Sequence, residues 1–148
     1  MGNAVKAIPE GYHSVTPYLV VVGAGKLIEF LKATFGAKEV LRMPGPGGTV
    51  GHAEMRVGDS VVMLADATEQ WKAMPGKLQV YLEDVDAAYA RALAAGATPI
   101  LEPKDQFYGD RRGGVKDACG NEWWVATHVE DVPEEELIRR MKGAGAGA

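Results

Sequence analysis

The chain has 148 residues, 47% of them hydrophobic, with one cysteine and a formal net charge of −4. That length supports one sizeable core or two small fused modules, and the acidic balance argues against a nucleic-acid surface. No apolar run approaches the roughly 18 residues that a membrane-spanning helix needs. There is no signal-peptide core, and the lone Cys119 excludes an intramolecular disulfide, so a cytoplasmic protein without a membrane partner is expected.

Residues 1–11 lack a packing pattern and are expected to be loose. From about Thr16 the chain is written twice. The apolar run Tyr18-Leu19-Val20-Val21-Val22 leads into a helical stretch from Gly23 to Leu31 and then to Phe35-Gly36. The run Leu78-Gln79-Val80-Tyr81-Leu82 likewise leads into Val85 to Leu93 and then to Ala95-Gly96. Gly36 and Gly96 stand where each helix should end, and glycine there takes the left-handed conformation that closes the last turn. Val57-Gly58-Asp59-Ser60 matches Cys119-Gly120-Asn121-Glu122, and Gly-Asp and Gly-Asn predict tight turns between strands. Each copy reads β-α-β-β-β, with modules over 12–66 and 77–128 forming a domain over 12–128. In residues 129–148, Pro133 to Met141 opens acidic and closes basic, which predicts a short appended helix. Gly143 to Ala148 is too poor in large apolar groups to pack and is expected to be flexible.

Strand periodicity then sorts side chains by face. In His52-Ala53-Glu54-Met55-Arg56-Val57, His52, Glu54 and Arg56 share one face, while Ala53, Met55 and Val57 share the face that meets the helices. Val61 to Ala65 is apolar on both faces, which predicts a strand covered on both sides. Trp123 and Trp124 must point to opposite sides, one of them to the core.

Two tandem β-α-β-β-β modules with Gly-Asp or Gly-Asn before each last strand resemble the vicinal oxygen chelate superfamily of glyoxalases, extradiol dioxygenases and bleomycin-resistance proteins. The segments Gly11 to Leu19, His52 to Ser60, Asp105 to Arg111 and Ala126 to His128 resemble its PhnB-like branch. The resemblance implies an α+β fold in which two modules form an open eight-stranded cup with helices outside, and it implies a homodimer. In catalytic members it implies a divalent metal held by His or Glu on first and last strands. Those positions fall here at Thr16, near Lys77, at Val62 or Met63, and at Trp124 or Val125, none of which is a normal metal ligand. No cofactor is therefore expected.

A substitute divalent site would have to draw on His52 and Glu54, with His13, His128, Glu122 and Cys119 as further donors. The plainer reading pairs Glu54 with Arg56 or the Arg111 segment and leaves His52 hydrogen-bonded to a neighbour. Trp124 offers a stacking platform for a planar or apolar ligand, and Tyr18, Gln79 and Tyr81 can add hydroxyl or amide contacts. Phe107, Tyr108 and Arg111 are further ligand candidates, since Gly109 permits a turn between aromatic surface and a planar cation. Asp110 and Arg111 can equally tie that loop down. Trp71 reads as packing or dimer contact. Gly23-Ala24-Gly25 lacks the third glycine of a dinucleotide fingerprint, and Cys119 has no adjacent activating histidine. The expected function is a metal-free protein that binds a small aromatic or amphipathic molecule. The alternatives are a metal-dependent lyase, isomerase or dioxygenase, which needs His52 and Glu54 as ligands, and a fold retained for protein interaction.

Overall fold

The computed structural model describes residues 4–144, so the predicted flexible tail lies largely outside the described residues. The chain divides into two compact units with the boundary between Pro75 and Gly76.

The first unit runs β1 (Tyr18–Val21), α1 (Ala24–Phe35), β2 (Lys38–Pro44), β3 (Val50–Val57) and β4 (Ser60–Asp66). The second runs β5 (Lys77–Tyr81), α2 (Val85–Ala94), β6 (Thr98–Asp105), β7 (Asp110–Lys116) and β8 (Glu122–His128), followed by α3 (Glu134–Ala144). The sheets have matching orders, β1-β4-β3-β2 and β5-β8-β7-β6. In each, the first and last strands pair in parallel and the remaining pairs are antiparallel. This is the predicted α+β architecture of two βαβββ modules.

The helices end as their glycines require. Gly36 sits at φ 63°, and the N–H of Ala37 reaches back to the Leu31 carbonyl. Gly96 at φ 99° does the same work after α2. The start of α1 has no capping side chain of its own. Asp66, at the end of the neighbouring β4, accepts from the N–H groups of Gly23, Ala24 and Val50 at 3.0, 2.8 and 2.7 Å. Burial works against ionisation of Asp66, but these three donors outweigh it and hold the carboxyl below its ordinary range. In the second unit Asp84 caps α2 through Ala87, while Thr127 accepts from Val85 N–H and donates to the Leu82 carbonyl.

Cores form where the alternation places apolar side chains under the helices. Leu27, Ile28 and Leu31 of α1 are buried with Val21, Met55 and Leu64. In the second unit Trp123, Val115 and Val125 are buried with Val85, Ala88 and Ala92 of α2. Val61, Val62, Leu64 and Ala65 of β4 are all buried and Met63 is half-buried, so this interior strand is covered on both sides, Met63 least.

The two predicted tight turns differ. Gly58-Asp59 is a two-residue connection closing on the Val57–Ser60 pair, with Gly58 at φ 59°. The second connection is longer, because the last pair is Lys116–Glu122 and residues 117–121 wrap around the Asp117 carboxylate. No helix among the described residues is long and apolar enough to cross a membrane. The predicted C-terminal helix forms, and Arg140 anchors it to the Glu130 carboxylate and the Phe107 carbonyl.

Candidate functional site

In the first unit, β3 turns His52, Glu54 and Arg56 away from α1, and register brings Met63 beside Glu54 and Tyr18 beside Met63. A hydrogen-bonded chain crosses this face. The Tyr18 hydroxyl lies 2.8 Å from His52 Nδ1, His52 Nε2 lies 2.8 Å from Glu54 Oε2, and the Tyr12 hydroxyl donates to Glu54 Oε1. Glu54 is buried, and these contacts decide its chemistry. The hydrogen bond to His52, then that to Tyr12, hold its carboxyl below the usual range against the opposing effect of burial. The same bond pushes the Tyr12 hydroxyl up, because losing its proton would set two anions together. An ionised Glu54 keeps a proton on His52 Nε2, leaving Nδ1 to face the Tyr18 hydroxyl. Within this unit Glu54 is thus paired with His52 and Tyr12 rather than with Arg56. Arg56 donates instead to the Gly11 carbonyl at 3.1 Å, so the segment before Tyr12 meets β3.

In the second unit the face away from α2 carries Lys77, Gln79 and Tyr81 of β5, Glu122, Trp124, Ala126 and His128 of β8, and Asp110, Arg112 and Gly114 of β7. Trp124 pairs with Gln79 on one side and Gly114 on the other. Its indole lies against Gly114, where an added Cβ would stand 2.7 Å from two ring carbons. The Trp124 Nε1–H donates to Glu122 at 3.0 Å. The Arg112 guanidinium stands 4.1 Å from the ring centroid, and Lys77 Nζ 5.4 Å from it. Trp123, the other member of the pair, is the one in the core, and its Nε1–H donates to Asp117.

A second polar chain lies at the far end of this face. The Tyr81 hydroxyl donates to Asp110 Oδ2 at 2.7 Å, and His128 bonds Asp110 through Nδ1 at 2.8 Å and Asp131 through Nε2 at 2.7 Å. The Asp110 hydrogen bond, helped by burial, raises the Tyr81 hydroxyl above its ordinary value. Asp110 and then Asp131 likewise raise His128, since both ring nitrogens face carboxylates and both can donate only in the imidazolium. A group raised on folding contributes stability that is full below its unfolded pKa, about 6.5 for His, and lost as pH rises through the folded value. His128→Gln is therefore expected to lower the melting temperature more at about pH 5.5 than at about pH 9. A deficit that is equal at both, or larger at the alkaline end, would show that His128 is neutral in the folded chain.

The candidates thus fall into separate groups. Tyr18, His52 and Glu54 come together in the first unit, and Gln79, Tyr81 and Trp124 share a face in the second. Phe107 and Tyr108 pack edge to face, with centroids 5.2 Å apart, in the turn before Gly109. Arg111 takes the opposite side of β7 from Trp124, where its fork holds Asp86 of α2 at 2.9 and 3.0 Å and Asp105 at 3.2 Å. Its neighbour Arg112, outside the expected ligand set, faces Trp124. The period of two along β7 carries that signal once the strand is known to begin at Asp110. Tyr12 and Asp131 carried no local signal. Trp71 is exposed.

Of the alternatives at the last-strand metal positions, Met63 and Trp124 face away from the helices while Val62 and Val125 enter the cores. None of Thr16, Met63, Lys77 and Trp124 offers a metal the donors it needs. Among the described residues no three His, Cys, Asp or Glu side chains gather in a way that could hold a metal ion.

A family model described as Glyoxalase/Bleomycin resistance protein/Dioxygenase superfamily matches residues 12–125. Uncharacterized protein Rv0887c of Mycobacterium tuberculosis is 37% identical over 145 residues, covering 90% of this chain and 85% of that protein. Among solved structures, the chain is similar to TioX from Micromonospora sp. ML1, with TM-score 0.68, 25% identity, and coverage of 79% of this chain and 99% of that one. It also shares its fold with TnmS3, an antibiotic binding protein from Streptomyces sp. CB03234, with TM-score 0.63, 23% identity, and coverage of 84% and 99%. The PhnB protein from Bacillus cereus matches with TM-score 0.62, 19% identity, and coverage of 78% and 99%.

Proposed function

Since the chain belongs to the Glyoxalase/Bleomycin resistance protein/Dioxygenase superfamily, we propose that it is a metal-free binding member that holds a small aromatic or amphipathic molecule against Trp124. The observation that carries this reading is the seat of the indole. Trp124 occupies a position at which metal-dependent members are expected to place a ligand, and Gly114 lacks the side chain that would lift the ring off the sheet. The half-exposed indole, with Gln79 paired beside it and the Arg112 guanidinium over its ring, joins apolar surface to a few directional polar groups, the usual composition of a small-molecule site. TnmS3 shows that this fold serves antibiotic binding in another protein. A cytoplasmic homodimer belongs to the same proposal.

Titration calorimetry with planar aromatic carboxamides built on naphthalene, anthraquinone and phenazine tests it. Trp124→Ala is expected to weaken binding of those that bind by about tenfold or more, because aromatic anchors dominate such contacts. Sedimentation should show the same oligomer as the parent chain. Unchanged affinity would reduce Trp124 to packing, and no binding by any ring system would remove the proposal.

A further inference from the structure

We infer that the first unit carries a small-molecule site of its own, a patch around Tyr18 that takes a neutral aromatic alcohol through the lone pairs of the Tyr18 oxygen. This goes beyond the reading of Trp124 and does not rest on it. Register sets Leu41 and Met43 of β2 beside Glu54 and His52, and Met63 of β4 beside Glu54 and Tyr18. The three apolar side chains therefore share the face that carries the Tyr18–His52–Glu54 chain. Tyr18 is 50% exposed, Met43 49% and Leu41 41%, whereas Glu54 is only 8% exposed. The carboxylate is thus covered, and the Tyr18 hydroxyl is the end of its chain that reaches the surface. Around that hydroxyl, two flexible thioether side chains and a leucine suit the face or edge of an aromatic ring.

The order of the protons decides what the patch receives. Ionised Glu54 can only accept, so His52 Nε2 donates to it, and Nδ1 of the neutral ring can then only accept. The Tyr18 O–H gives its proton to that Nδ1, 2.8 Å away. Its oxygen keeps lone pairs but has no further proton to offer, and no described residue donates to it. A ligand hydroxyl completes the chain, whereas an ether, ketone or carboxylate would set lone pair against lone pair. The charge at the buried end works in the same direction, because it repels a carboxylate or a phenolate. An ammonium donor would have to shed water against Leu41, Met43 and Met63, which return no hydrogen bond. A hydroxyl on an aromatic ring satisfies both the oxygen and the apolar surface.

Titration calorimetry of naphthol against its methyl ether isolates the donor, because the two share a ring and only one carries an O–H. The parent chain is expected to favour naphthol by about fivefold, and acetylnaphthalene, an acceptor, should bind no better than the ether. Tyr18→Phe keeps a ring beside His52 Nδ1 but removes the oxygen, so it should bring naphthol and ether within about twofold of each other. Met43→Lys puts a charge on the patch and should weaken both together, which locates the ring. Nitrogen resonance shifts of His52 read the tautomer directly and should show a protonated Nε2 and a bare Nδ1. If Tyr18→Phe loses its native circular dichroism, the Met43→Lys titration and the nitrogen shifts decide. Equal affinity for alcohol and ether in the parent chain, a preference that survives Tyr18→Phe, affinities unmoved by Met43→Lys, or a proton on Nδ1 would each overturn the inference. So would failure of both naphthalenes to bind. The Trp124 proposal stands or falls separately, on its carboxamide titrations.

Discussion

Asp117→Ala is expected to destabilise the protein by about 4 kcal/mol. Its carboxylate is buried and collects four donors: the backbone N–H of Cys119 at 2.8 Å and of Asn121 at 3.0 Å, the Asn121 amide at 3.0 Å, and the Trp123 indole at 2.7 Å. Alanine would leave the indole and amide donors without this acceptor in a core from which Trp123 and Asn121 are wholly excluded from solvent. Each such loss costs about 1–3 kcal/mol, more where the lost partner was charged. The damage spreads because Asn121 Oδ1 also accepts from the Gly76 N–H, which sets the start of β5. Asp117→Asn keeps one acceptor oxygen and should cost about half as much. The midpoint of urea unfolding measures both. A cost below about 1 kcal/mol for alanine would mean that water takes over the four donors.

Much of the fold could be read from local pattern, because the forces that set it are local. Alternation along Ala53, Met55 and Val57 names the buried face of β3, and the glycines at 36 and 96 mark two helix ends. A repeated pattern gives a repeated topology. The Gly120 turn shows where this reasoning stops. Its sequence matched Gly58-Asp59, yet the loop is organised by Asp117, whose partners reach into the strand beyond the turn. No spacing rule for tight turns contains that information.

The site was legible to a similar depth. The opposite facing of Trp123 and Trp124 follows from strand periodicity, and Trp124 is the one turned away from α2. Arg111 was grouped with the loop before it, although β7 already begins at Asp110 and parity sends Arg111 to the α2 side and Arg112 toward Trp124. Glu54 shows the other limit. Its partner Tyr12 lies 42 residues away in sequence, in a segment with no periodicity of its own. A buried carboxylate announces a need for donors but not which segment supplies them.

The turn at residues 107–109 separates two effects that glycine usually confounds. Gly109 and Gly96 have nearly the same left-handed φ, 98° and 99°, so alanine meets the same φ penalty at either. Their surroundings differ. A Cβ at Gly96 meets nothing within 4 Å, whereas at Gly109 it would stand 2.1 Å from the Glu130 carbonyl oxygen and 3.2 Å from Val132. Backbone must then move, and the Gly109 carbonyl holds that same backbone by accepting from the N–H groups of Val129 at 2.8 Å and Glu130 at 3.0 Å. Gly96→Ala is therefore expected to cost about 1 kcal/mol and Gly109→Ala about 3 kcal/mol or more, the excess reporting the clash. The shift also reaches the candidate site, since Asp110, the next residue, holds Tyr81 and His128, and Phe107 gives its carbonyl to Arg140. Proteolysis within residues 107–109 should accelerate in Gly109→Ala and not in Gly96→Ala. Equal costs at the two glycines would mean that the 130–132 segment yields freely, and the turn would then owe its shape to φ alone.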